Sequence, residues 1–287
     1  MKIAYLLIVY NNSDQVFKLV RKLNTSNNSF YIHFKLGYDF IVPPDIELMT
    51  NVHFSEKRYL AGWAGFKVIL ANFYLMEMAL KSEVEYDYYI NLSGNCYPIY
   101  SNLIIEEKLS GINKSIIEGI RLPNEIFKEG GLNKIKYPWF QDEFQLFNPY
   151  LKKYLHKLIH IPYKLFNIKR KFPEKLKPYF GSQWHALTHE AVLVLQEFKT
   201  NHSDSFNFFK RCWCSDEQVI QTILYSSDKL KDKIINQPFR YIDWNTNGPP
   251  KTLIKSDFKK IIKSGHLFAR KFDKDISAEL IDIIDSN

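Results

Sequence analysis

The stretch YDYYINLSGNCYPIYS, Tyr86 to Ser101, decides how the rest of the chain is read. Its first half has the tyrosine- and isoleucine-rich pattern of a buried β-strand, and Ser93-Gly94-Asn95 then turns the chain. Working outward, IAYLLIVY (3–10), FYIHF (30–34) and NVHF (51–54) read as further strands. Between the first two, DQVFKLVRKL places Val16, Leu19, Val20 and Leu23 at helical spacing after an Asn-Asn-Ser-Asp cap. Residues 65–82 form a long, largely apolar helix. Strands alternating with helices predict an α/β fold with a nucleotide-binding, Rossmann-like sheet.

Residues 111–121 are expected to return to the sheet. GSQWHAL (181–187) reads as another strand, followed by a helix capped by Thr188. In CSDEQVIQTILYS, Ser215 and Gln218 have capping-box spacing, which would put Asp216 and Glu217 in a first helical turn. NQPFRYIDWNTNGPP reads as a strand and a proline-closed loop. SDFKKIIKSGHLFARKFD reads as a short capped helix, a glycine and a basic strand, and the tail as an amphipathic helix. One domain, 1–287, is expected, in three parts: 1–121, a basic aromatic insert (122–180) and 181–287.

Composition bounds the function. With 46% apolar and 16% aromatic residues among 287, the chain can fill a large core, which excludes a disordered protein. It contains no run of about 18 apolar residues to span a membrane. The apolar start lacks a basic leader and a cleavage site, so it is expected to be a strand and not a signal peptide. Three cysteines, Cys96, Cys212 and Cys214, are too few for a disulfide framework. They are expected to be thiols in a reducing cytoplasm. A net charge of +8 favours an anionic partner. Residues 151–180 hold nine Lys or Arg and one acid, Glu174. Leu151, Tyr154, Leu155, Leu158 and Ile159 fall on one helical face there. Such a segment is either a surface helix with a solvated lysine face or a contact to an anionic membrane.

Three features could carry chemistry. Asp216-Glu217 could simply complement a helix dipole, or supply a general base. Lys251, Arg270 and Lys271 could be surface cations, or could meet a phosphate; Arg270 and Lys271 should point to opposite faces of their strand. Trp244 could be core, or a platform for a sugar. No glycine-rich phosphate loop, nucleophile elbow or zinc-protease motif occurs. The Asp273-Lys274-Asp275 triplet follows a basic strand, the wrong setting for a metal–diphosphate site. The Ser93-Gly94-Asn95 turn carries no carboxylate for a metal either.

Six segments, in order, resemble the core-2/I-branching β-1,6-N-acetylglucosaminyltransferase and xylosyltransferase family. They are FYIHF, AGWAGFKVILAN, YDYYINLSGNCYPIYSNLIIEEKL, YFGSQWHALTHEAVLVL, CSDEQVIQTIL and PPKTLIKSDFKKIIKSGHLFARKFD. The resemblance implies a glycosyltransferase A-type α/β fold, with 1–121 as the nucleotide-sugar-binding half and 181–287 as the catalytic and acceptor half, and an inverting transferase that needs no divalent metal or other cofactor. It implies Glu217 as catalytic base, Lys251 and Lys271 at the donor diphosphate with Arg270 beside them, and Trp244 with Asp216 toward the acceptor. His33, Trp63, Ser93, Gly94 and Asn95 fall at the donor nucleotide and sugar. Two positions depart from the family pattern: Lys35 stands where an acid follows the early histidine, and Cys96 where an acid follows the turn.

The expected partners are a UDP-sugar, UDP-GlcNAc first, and a glycan or lipid-linked glycan; no nucleic acid is expected. The expected setting is bacterial surface polysaccharide or lipopolysaccharide synthesis. It is placed in the cytoplasm, with 151–180 touching the inner face of the membrane as the further option. Transfer of xylose or another sugar is the rival within enzymes. A basic, non-enzymatic membrane- or nucleic-acid-binding protein is the rival outside them.

Overall fold

The strand Tyr88–Ser93 of the opening stretch is the middle one of seven in the main sheet and is buried on both faces. The structure is a computed structural model that describes residues 1–245 and 248–286. Its strands, in chain order, are β1 (Ile3–Val9), β2 (Asn28–Phe34), β3 (Val52–Phe54), β4 (Tyr88–Ser93), β5 (Tyr97–Pro98), β6 (Ser115–Ile117), β7 (Ile120–Arg121), β8 (Tyr179–Phe180), β9 (His185–Thr188), β10 (Ile234–Ile235), β11 (Arg240–Ile242) and β12 (Phe268–Arg270). The main sheet runs β10-β6-β9-β4-β1-β2-β3. β1 is parallel to β2 and β4, and β9 is antiparallel to both β4 and β6. This is the α/β, Rossmann-like arrangement expected from the strand–helix alternation.

IAYLLIV is apolar at every position because helices cover both sides of the sheet. Ile3, Tyr5, Leu7 and Val9 pack with Val16, Val20 and the final helix (Ala278–Ser286) on one face. Ala4, Leu6 and Ile8 pack on the other, against the long helix Phe66–Lys81 and the helix His189–Asn201. At about 1.5–3 kcal/mol for each fully buried large side chain, this two-sided burial is what fixes the register.

That register sets the site. β1 and β4 pair from Ile3↔Tyr88 to Ile8↔Ser93, so their C-terminal ends finish together. A second sheet, β11-β12-β5, stands over this edge. Asn95 ties the two: its carbonyl accepts from the Phe272 amide at 2.9 Å, and its side-chain amide donates to the Phe272 carbonyl at 3.1 Å. Ligands of open α/β sheets bind at such strand ends.

Four local expectations change. The capping box does not form: Ser215 Oγ donates to the Phe209 and Cys212 carbonyls, and the Gln218 side chain donates to the Trp213 carbonyl. Ser215–Glu217 is one 3-10 turn, and the helix begins at Val219. Thr188 occupies the cap position of its helix without a capping bond, its hydroxyl pairing with Ser115 instead. The predicted strand 181–187 is regular only from His185, because its start bonds to side chains: Gln221 donates to the Ser182 carbonyl and Asn91 to that of Gln183.

The insert helix Pro149–Leu165 starts with Asn148 accepting from the Leu151 amide at 2.8 Å. It buries His156 and His160 against Trp139, with ring centroids 5.0 and 4.6 Å apart. Of the apolar face left open between core packing and membrane contact, Leu151, Tyr154 and Leu158 are exposed and do not pack on the core. The three cysteines are buried and unpaired, as expected of thiols. Among the described residues no helix is long and apolar enough to cross a membrane.

Candidate active site

A cleft of about 970 Å³ opens at the C-terminal ends of β1 and β4, under the second sheet. Glu217, Asp216, Arg270, Lys271 and Asn95 line it, with Trp63 and Trp244 also in its wall. Residues far apart in the chain therefore meet there.

Glu217 is delivered by the 3-10 turn, which the chain enters through Cys214 at φ 52°. Its carbonyl accepts from the Gly181 amide at 2.9 Å. Gly181 is required by space: a Cβ there would lie 2.1 Å from the Glu118 carbonyl oxygen. Gly181→Ala is expected to push these backbones apart and cost more than about 2 kcal/mol, lowering the thermal midpoint and activity together. An unchanged melting curve would show that the contact yields freely.

The two carboxyls do not behave as helix-start acids. Burial pushes Glu217 up to about 7; Lys134 opposes this and Glu118 adds to it. Burial, then the Glu217 charge, raises Asp216 well above the carboxylate range, and its Oδ1 has no partner. Burial thus favours the protonated form of Asp216, while Glu217, near 7, sits at the balance point of a base. Two adjacent carboxyls, both raised by burial, mark this turn as a candidate site for proton handling.

The cationic wall is more extensive than the sequence indicated. The guanidiniums of Arg240 and Arg270 lie 4.2 and 4.3 Å from the Trp184 ring centre. Arg240 is buried and donates to Cys96 Sγ and to the Asn91 carbonyl. Burial lowers it to about 10 and lowers Arg270 as well, so both stay charged at neutral pH. Among the described residues neither guanidinium is paired with a carboxylate, and the Nε of each has no hydrogen-bond partner. Lys271, its ammonium lowered by burial and by Arg270, lines the same cleft. Arg270 and Lys271 do not separate to opposite faces, because β12 ends at Arg270 and strand alternation stops there. A buried cation without a counter-charge is costly, and an incoming anion relieves that cost.

Other candidates are built into the scaffold. His33 is fully buried; its Nε2 accepts from the Tyr59 amide at 2.8 Å, and burial lowers it to about 4, so it is neutral. Ser93 is buried with its hydroxyl 3.2 Å from Cys96 Sγ. A Cβ on Gly94 would meet Val16 at 2.9 Å, so its missing side chain makes room for the helix after β1. Lys251 is not in the cleft wall; both Asp257 oxygens hold its ammonium, at 2.7 and 2.9 Å. Trp184 and Arg240 were missed in the sequence. The one available signal was an arginine inside the apolar strand FRYI.

Among the described residues no three His, Cys, Asp or Glu side chains gather closely enough to hold a metal ion. Asp273 of the D-x-D triplet accepts from the Asp275 and Ile276 amides, a turn-forming role.

The α/β domain thus brings two carboxyls and a group of cations into one cleft at the strand ends. The chain belongs to the Core-2/I-Branching enzyme family, whose profile matches residues 3–264. It is 23% identical over 305 residues to a β-1,3-galactosyl-O-glycosyl-glycoprotein β-1,6-N-acetylglucosaminyltransferase 4 of Danio rerio, covering 97% of this chain and 68% of that protein. It is 21% identical over 312 residues to a xylosyltransferase of Ciona intestinalis, covering 99% of this chain but only 34% of that one. Among solved structures, mouse xyloside xylosyltransferase 1 aligns over 93% of this chain and 97% of its own, at 11% identity and a TM-score of 0.37. Family membership implies a sugar donor and a glycan acceptor.

Proposed function

We propose that the chain is an inverting, metal-independent transferase that moves a sugar from UDP to a glycan hydroxyl, forming a β-linkage. One observation carries this: a base poised near neutrality shares a cleft with guanidiniums that have no carboxylate partner. Glu217 takes the proton of the acceptor hydroxyl, whose oxygen attacks the anomeric carbon from the face opposite UDP. The carbon–oxygen bond to UDP breaks, and the diphosphate's growing charge is met by Arg270, Arg240 and Lys271. These fixed cations take the part that a bound metal ion plays elsewhere. Trp63 and Trp244, 75% and 63% exposed, offer aromatic faces for the sugars at the mouth.

GlcNAc transfer to a 6-hydroxyl is the leading reading, supported by the Danio rerio relative. Xylose transfer is the second, supported by the Ciona intestinalis relative. A bacterial surface polysaccharide or lipopolysaccharide is the proposed acceptor class. In a product-mass assay with UDP-GlcNAc and UDP-xylose, transfer is expected to persist in excess chelator at more than half its rate. Activity that vanishes with chelator and returns with manganese would overturn the cation mechanism.

A further inference from the structure

We propose that the helix Pro149–Leu165 is a docking element for an anionic lipid bilayer. The helix is mounted by one side only: His156 and His160 are buried against Trp139. Its free side carries Tyr150, Leu151, Tyr154, Leu158, Ile161 and Leu165, which are 41–87% exposed. At about 100° per residue these six span an arc of about 100°, one continuous apolar stripe. Lys153, Lys157 and Lys164 form a row between that stripe and the buried face, all exposed. Long lysine stems beside an apolar stripe can lie along it while their ammonium groups reach headgroup phosphates.

Charge selects the occupant. Residues 144–173 contain seven lysines and arginines and no acidic residue. A second copy docking here about a two-fold axis would set this cationic segment against itself. A nucleic acid would meet the charge but leave the apolar stripe uncovered. An anionic membrane satisfies both, and 17 residues give an in-plane contact about 26 Å long. Trp139 also reaches the cleft side, its ring 4.7 Å from that of Trp213, which lies 5.5 Å from Trp63. The bilayer contact stands on this surface alone and does not require the proposed transfer reaction.

The test is co-sedimentation of the full chain with vesicles of phosphatidylcholine alone and with about one third phosphatidylglycerol. Binding is expected on the anionic vesicles, at least about tenfold tighter than on the neutral ones, and weakened by salt. Reversing Lys153, Lys157 and Lys164 to Glu should weaken it by about 100-fold or more. The triple change Tyr154→Ser, Leu158→Ser, Ile161→Ser should weaken it by about tenfold or more with an unchanged melting curve, since these side chains face solvent. Equal binding to both vesicles, or variants that bind like the parent, would overturn the proposal. So would a dimer that the serine changes dissociate without loss of vesicle binding, because a second copy would then own the stripe.

Discussion

Glu217→Gln is expected to lower sugar transfer by about 10²–10⁴-fold while UDP still binds, and to make the protein more stable. The first effect is the loss of the base. The parent rate should rise with pH up to about 7, where the carboxyl becomes ionised, and the residual rate of the variant should lack that rise. The second effect follows from the same burial. The folded carboxyl titrates near 7, and the unfolded one near the ordinary 4.5. Between those values the folded state holds a proton that the unfolded state has lost. Stability from this group is therefore greatest below 4.5, falls as pH rises to 7, and stays low above it. A glutamine carries no such penalty, so the gain at pH 8 is on the order of 1–3 kcal/mol. Calorimetry and a product assay on one preparation read both effects. A variant that retained more than a tenth of the activity would remove Glu217 from the role.

Arg270→Ala is the second large effect. It should weaken UDP binding by about 10–100-fold, the range for losing charge-assisted hydrogen bonds worth about 1.5–3 kcal/mol. It should not destabilise the fold, because it removes a largely buried cation that sits beside Arg240 and has no carboxylate partner. Titration calorimetry with UDP, paired with a melting curve, separates these outcomes. Undiminished UDP affinity would show that the guanidiniums face something other than a phosphate. Arg270→Lys should recover only part of the affinity, since an ammonium cannot make the bidentate contact.

The sheet was legible because its strands are dense in aromatic and branched residues and its helices keep their period. IAYLLIV, FYIHF and YDYYINL all became strands, and the long helix ended within a residue of its expected bounds. The site was half legible. Glu217, Arg270 and Lys271 do line one cleft, but Arg240 acquires meaning only beside Cys96, 144 residues earlier, and Trp184. No local pattern carries a contact of that span. The capping-box reading of Ser215 and Gln218 failed because both side chains are taken by carbonyls of the preceding loop. For the insert helix, periodicity revealed an apolar stripe but not its direction. That depended on Trp139, which claims the histidine side.

The antiparallel seam at β9 has a consequence for synthesis. β6 joins the rest of the main sheet only through β9, so the first 121 residues leave the ribosome with β4 facing nothing on one side. That open rim is a row of unpaired amides and carbonyls on a strand whose residues are all destined for the interior. Nascent chains stalled or cut before Thr188 should therefore self-associate and recruit chaperones, and the halves should not fold as separate modules.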